Sequence, residues 1–553
     1  MLYNRPLFTN LVFFSVLFVA SVIFFWPVLD VTNIDWIRGD IAQHYLGWAF
    51  YRQTEGWHFP VTFVPTLAYP FGVSIAMTDS IPLLAVPLRV IEDLLPTPFQ
   101  YLGWYQLAST MLAGLMGFLI ARQLGFRGPS AYLIALFFAT SPVMLFRMHG
   151  HTSLTSHWVF LWTLLIFLRL PLHAFALTRP QLIQIAATVF IAALIHPYIL
   201  LIVYMFVLAI GLRIWLAGGR WWVIVGQLVA AAALGIGLMI LVGFIPLGQP
   251  TSVVAGGYRF FSLNLLAPIN PMNYPSLVLP RLPLADRVQY EGYAYLGLGM
   301  LVLAGGAIIR AARQGAGAFP PRPIVHAYII PLGLMSFGAV LMALSARITV
   351  GSWTVIDVPL PQMVEHALSI FRSSGRLFWP VFYLILIAVF VGLRGLSERT
   401  KAVLLAACFA LQMADIRPLM QSVSRQHSTD GPVITWIRDL APDVAGYRHI
   451  KVLRPRLCHG QDRVGGSSSF IDFSMLALET GATLNSFYSA RHTWQERAYH
   501  CTEEVDRFLA GPLDRDTAYI VHADIVATVP EPRRSTECQP VGPAFLCQAG
   551  REG

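Results

Sequence analysis

The chain has 553 residues, 56% of them hydrophobic and 12% charged. Soluble globular proteins carry about 25% charged residues, so the composition excludes an ordinary soluble domain and implies a polytopic membrane protein. The formal charge of +9 does not point to nucleic acid, because the basic residues are strung between apolar runs instead of gathered on one face.

In chain order, FTNLVFFSVLFVASVIFFWPV (8–28) is long enough to span a bilayer, and no small-residue cleavage site follows it. It therefore reads as a first transmembrane helix rather than a cleaved leader. Further spans are expected near 103–121, 129–147, 154–171, 180–196, 197–216, 221–246, 294–311, 326–346, 377–395 and 401–416, about eleven in all. IPLLAVPLRVIEDLL (81–95) is short, broken by Pro82 and Pro87 and charged at its end, and reads as an amphipathic helix in the interface. Short basic loops around Arg122, Arg169, Arg213, Arg310 and Arg394 alternate along the chain. By the positive-inside rule they share the cytoplasm. This puts the N-terminus inside and the C-terminus outside a bacterial inner (plasma) membrane.

Of the thirteen Asp and Glu up to residue 416, twelve fall in predicted outer loops or outer helix ends, and only Glu398 faces the cytoplasm. Acids hardly influence topology, so the bias suggests a polar, working outer face. The outer loops 30–102 and 247–293 are long and rich in Pro, Gly and aromatics, as functional loops are. Residues 1–416 thus form a transmembrane domain.

Residues 417–553 change character and read as a periplasmic α/β domain. HIKVL (449–453) and TAYIVHA (517–523) are predicted strands, and 470–480 and 491–511 predicted helices. Four of the five cysteines lie here, at 458, 501, 538 and 547. In an oxidising compartment they read as two disulfides. Pro540 and Gly542-Pro543 suit a hairpin or tight loop closed by Cys538–Cys547, which leaves Cys458–Cys501 by elimination.

Four polar constellations carry candidate chemistry. The first loop offers RGDIAQH, with Arg38, Asp40, Gln43 and His44, and later Asp79. Asp40 and His44 share a face if helical. A carboxylate beside lipid is a candidate general base, or else Asp40 caps a helix starting at Ile41. In FRSSGR, Arg372 and Arg376 present bidentate donors for a phosphate, or snorkel to lipid headgroups. In QYEG, Glu291 with Tyr290, Tyr293 and Tyr295 suits sugar hydroxyls, or the loop is simply packed with interfacial tyrosines. RMHGHTSLTSH holds His149, His151 and His157, whose spacing across Gly150 is a poor metal pattern. They read as polar contacts and no metal ligand is assigned, although a divalent cation is compatible with the set. No P-loop, dinucleotide-binding glycine motif, HExxH or GxSxG in context is present, which argues against an ATP-driven pump and a metalloprotease.

Several stretches carry a family resemblance: GDIAQ (39–43), YPFG (69–72), TDSIPLLAVP (78–87), ARQLGF (121–126), FRSSGRLFW (371–379) and the loop 262–299. With one span, a long outer loop opening on an Asp and an outer C-terminal domain, the chain resembles the type-C glycosyltransferase (GT-C) superfamily. It looks like its uncharacterised bacterial branches, including YfhO-like proteins and a membrane domain of unknown function. The resemblance implies a transferase that moves a sugar from a polyprenyl-phosphate-type lipid donor to a glycan, lipid or protein acceptor. It implies catalytic roles for Asp40 and, as a substitute second acid, Asp79. Many members have an acid pair in the first loop, whereas here Ile41 follows Asp40. A non-catalytic relative serving a cell-surface polysaccharide machine therefore stands as an alternative. A lipid or sugar transporter fits less well, because the spans are nearly free of charge.

Overall fold

The computed structural model describes residues 5–247, 257–315, 320–431, 433–459, 464–466 and 469–549. Part of the second outer loop, 248–256, lies outside the described residues. The described residues gather into two compact units. The first comprises Met1–Asp30, Tyr101–Leu238 and Val254–Ser428; the second comprises Val31–Gln100, Met239–Val253 and Thr429–Gly553.

The first unit is helical. Each of the eleven apolar stretches contains an α-helix, because unbroken Leu, Val, Ile, Phe and Ala runs can satisfy their backbone only internally in lipid. Among the described residues, seven helices are long and apolar enough to cross a membrane, and up to eight if the bent pair Glu398–Asp415 and Arg417–Ser428 is one span. His157–Arg169, Arg179–Ile195 and Leu298–Gln314 are shorter, at 13, 17 and 17 residues. Length and apolarity thus support a multi-pass membrane protein, with seven or eight of the expected eleven spans meeting both criteria among the described residues.

Small residues set the helix contacts, as expected where lipid supplies no hydrophobic drive between helices. A Cβ on Gly117 would meet Phe138 at 2.6 Å, and one on Gly299 would meet the Cys408 carbonyl at 2.0 Å. The helix Arg5–Phe25 exposes Leu7, Phe8, Val16 and Ile23, a surface suited to acyl chains.

The second unit is built on a five-stranded sheet: β1 His449–Val452, β2 Thr483–Leu484, β3 Thr517–His522, β4 Cys538–Val541 and β5 Ala544–Cys547. The order is β2-β1-β3-β5-β4, with β1 parallel to both neighbours and the β4–β5 hairpin antiparallel. β3 is buried along nearly its whole length and packs its apolar side chains with Leu453, Phe508, Leu513 and Ile525. Both expected disulfides form, Cys458–Cys501 and Cys538–Cys547, the latter joining directly opposed residues of the hairpin.

The first loop is stitched into this unit by main-chain bonds. Leu484 N–H donates to Thr66 O at 2.9 Å, Tyr69 N–H to Leu484 O at 3.0 Å, and Ala490 N–H to Met77 O at 2.8 Å. The stretch 81–95 is a nine-residue helix, Pro82–Val90, followed by a 3₁₀ turn. Its Arg89 is turned inward, over the Tyr51 and Trp57 rings and donating to the carbonyls of Thr54 and Gly56.

Candidate functional site

In the first unit the polar side chains converge on Glu291. It sits in the 3₁₀ turn Arg287–Gly292, which starts with a capping box between Asp286 and Gln289. Two glycines bring that turn against FRSSGR: a Cβ on Gly375 would meet the Gly292 Cα at 2.6 Å, and one on Gly292 would meet the Ser262 carbonyl at 2.7 Å. Gly375 therefore admits protein backbone at this turn.

The close approach buries the carboxylate and points two guanidinium groups at it. Arg147 Nη1 donates to Glu291 Oε2 at 2.7 Å and its Nη2 to the Glu291 carbonyl at 2.7 Å. Arg376 reaches the same Oε2, through Nε at 3.0 Å and Nη2 at 2.9 Å. His151 Nε2 lies 3.4 Å from Oε1 and 3.3 Å from Arg376 Nη2. Burial works to raise the Glu291 carboxyl, but Arg376 and Arg147, with His151, overcome it and hold it well below the usual carboxylate range. Glu291 is thus an ionised anchor for two arginines, and a poor proton acceptor. Arg147 is buried, lies over the Phe146 ring, and keeps an Nε–H without a hydrogen-bond partner.

The neighbours divide into packed and exposed groups. Tyr293 and Tyr295 are buried, and Tyr295 donates to Asp415 Oδ2 at 2.7 Å. Neither offers a face to a sugar, so that part of the sequence reading gives way to packing. Tyr290 is 41% exposed. His149 donates through Nδ1 to Phe146 O at 3.3 Å and accepts at Nε2 from Ser422 at 2.8 Å. Burial pushes it down to about 4, opposed by the hydrogen bond to the Phe146 carbonyl and helped to a smaller degree by the charge of Arg147. Arg372 is exposed, resting on the Phe261 ring. The two arginines of FRSSGR therefore take separate environments, because Arg372 precedes the 3₁₀ turn Ser374–Phe378 that carries Arg376, and the two do not share a helix face.

In the second unit, RGDIAQH opens the helix Asp40–Gln53. Gly39 holds the N-cap position at φ 55° and Asp40 is the first helical residue, so Asp40 is not the cap. Gln43 and His44 are buried on the inner side of this helix. Gly47 lets the helix dock on the turn that carries Asp79: a Cβ there would meet Thr78 Oγ1 at 2.0 Å, and Ser80 Oγ donates to His44 O at 2.6 Å. Asp79, itself left-handed at φ 58° and buried, lies with its carboxylate within 4.8 Å of a His44 nitrogen. The pair offers one nitrogen and one oxygen, two of the donors a divalent cation takes. Arg38 donates to the Asp430 carbonyl at 3.3 Å.

Sequence reasoning missed Arg147. Its signal was present in RMHGH, an arginine ending an apolar span beside two histidines, where intramembrane charge is functional by default.

The family model described as Domain of unknown function (DUF6311) matches residues 13–417, and the one described as DUF6311 C-terminal domain matches residues 438–549. These matches do not support the YfhO-like branch. No curated protein matches the chain. Solved structures with some likeness include the oligosaccharyltransferase of Archaeoglobus fulgidus in its apo form, at 14% identity and TM-score 0.41 over 86% of this chain and 64% of that one. The archaeal oligosaccharyltransferase AglB from the same organism, in complex with an inhibitory peptide and a dolichol-phosphate, gives 12% identity and TM-score 0.41 over 88% and 65%. The A. fulgidus enzyme tethered to an acceptor peptide gives 10% identity and TM-score 0.44 over 99% and 75%. The chain thus spans less than two thirds of the first two. Likeness at this level assigns neither donor nor acceptor to this chain.

Proposed function

This chain belongs to the DUF6311 family, and we propose that it is a GT-C-type membrane glycosyltransferase. It moves a sugar from a polyprenyl-phosphate-type lipid donor to a glycan, lipid or protein acceptor at the extracytoplasmic face of a bacterial inner membrane. The observation that carries this reading is the pair of arginines, Arg147 and Arg376, fixed on one buried carboxylate in an apolar helical unit. They lie at the end of one apolar helical segment and near the start of another. Guanidinium forks suit phosphate oxygens, and in water-poor surroundings a lipid phosphate needs fixed cationic donors.

In this proposal Glu291 orients both arginines, His149 and His151 complete the polar layer, and Tyr290 and Arg372 reach toward the donor from the exposed side. Asp40 removes or polarises the acceptor hydroxyl proton, a step worth about 10²–10⁴-fold in rate. Asp79, His44, Gln43 and Arg38 position Asp40 and the acceptor. A non-catalytic assembly role is favoured by one observation, Ile41 where many GT-C members have a second acid.

Native mass spectrometry of the detergent-purified chain tests the donor assignment. A polyprenyl-phosphate or -diphosphate sugar should co-purify and be lost in Arg376→Met with helicity unchanged. Lipid adducts without a phosphate, or a phosphate adduct undiminished in the variant, would reject it.

A further inference from the structure

The second unit holds a cavity of about 300 Å³ lined by Tyr69, Lys451, Tyr499, Glu504, Arg507 and Tyr519, with Asp514 and Pro512 at its edge. Its floor is an ion pair. Lys451, from β1, puts Nζ 3.3 Å from Oε1 of Glu504, at the start of the helix Glu504–Ala510. Both side chains are at least nine-tenths buried. Glu504 Oε2 is well supplied, accepting from Asn485 Nδ2 at 3.0 Å and His500 Nδ1 at 2.9 Å. Oε1 is sealed from the cavity and holds Lys451, so the group the pair presents at the cavity wall is the Lys451 ammonium. Around the floor, Tyr519 donates to Asp514 Oδ2 at 2.9 Å and Arg507 lies over the Tyr499 ring at 5.1 Å. Tyr69 stacks on His449 with ring centres 4.2 Å apart.

We infer that this cavity binds one neutral sugar residue of a glycan. The lining alternates two cations with two carboxylates, so a charged ligand attracted by one pair is opposed by the other. A hydroxyl both donates and accepts, and gains from each. One hydroxyl accepts from Lys451 Nζ and another donates to the Asp514 carboxylate. Tyrosines supply rigid, amphipathic faces for a ring. The volume lies at the small end of ligand pockets, fitting a single residue rather than a long oligosaccharide. The site stands on its own geometry and goes beyond the transferase reading, since it involves neither Asp40 nor the arginine pair.

Saturation-transfer NMR on the full chain, in a detergent without a sugar headgroup, tests it with methyl glycosides of neutral hexoses and N-acetylhexosamines. At least one glycoside should receive saturation. Its affinity should fall about tenfold or more in Lys451→Met, the loss of one hydrogen bond to a charged group. Arg507→Ala and Asp514→Asn, both at exposed positions, should weaken it several-fold with the fold intact, and they decide the matter if Lys451→Met does not fold. No saturation of any glycoside, affinity unchanged in the variants that fold, or displacement of the sugar by inorganic phosphate would overturn the inference. The last result would make the cavity an anion site. Sugar transfer measured on the same samples reports separately on the proposed activity.

Discussion

Glu291 in the first unit and Glu504 in the second are both buried, and both face cations. Their surroundings differ in what is left over. Glu291 has guanidinium nitrogens on Oε2 and an imidazole near Oε1, so its lone pairs are used by the protein. Glu504 has Oε2 satisfied by Asn485 and His500, while the sealed Oε1 meets one lysine, Lys451, which lines a cavity. A carboxylate used up by arginines organises those arginines, and its chemistry is theirs. A carboxylate that holds a single lysine at a cavity wall leaves that lysine's remaining N–H groups to a ligand. The same residue type thus serves opposite ends, and the partner set distinguishes them.

Removing the Glu291 charge is the strongest way to break this comparison. Glu291→Gln leaves two guanidinium groups facing each other across a neutral amide, and breaking one side of a buried pair typically costs about 3–5 kcal/mol. Thermal unfolding in detergent should show a large drop in midpoint, and a shift near zero would mean that the arginines do not depend on Glu291. The pH dependence sharpens the point. A carboxyl whose folded value is depressed contributes stability that is fully present above its unfolded value, and this is lost as pH falls through the folded one. For Glu291, held well below 4.5, that contribution should persist through mildly acid pH and disappear only in strong acid. The acid loss assigned to this group should be absent from the Gln variant.

The smallest effect is expected at Arg372. It is exposed on Phe261, and exposed charges contribute about 0–1 kcal/mol. Arg372→Gln should leave the unfolding midpoint within a degree or two, unlike Arg376, which is committed to Glu291. A large loss in both would show that FRSSGR acts as one unit after all.

The helices were legible because apolar runs report themselves locally, and so were β1, β3, the helix Ser469–Thr480 and the cysteine pairing. The hairpin strand Cys538–Val541 was not, because Pro540 weakens the strand signal and only pairing with β5 fixes it. Nothing local marks the attachment of the first loop to the C-terminal segment, since its bonds join residues about 400 positions apart, such as Thr66 and Leu484. Arg147 and Glu291, 144 positions apart, are invisible for the same reason. Tyr293 and Tyr295 show the opposite error: composition suggested a sugar face, and burial decided otherwise. Residue type tells what a side chain can do, while its neighbours decide what is left for it to do.

The central claim, sugar transfer with Asp40 as the base, is tested most directly by a transfer assay. Purified chain is given a polyprenyl-phosphate sugar donor and membrane-derived acceptors, and wild type is compared with Asp40→Asn. Asn keeps the size and a hydrogen-bonding oxygen but cannot take the proton, and Gly39, not Asp40, holds the helix cap, so folding should be unaffected. The account predicts transfer by wild type and a loss of about 10²–10⁴-fold in the variant, with unchanged unfolding. Transfer at the wild-type rate by Asp40→Asn would contradict it.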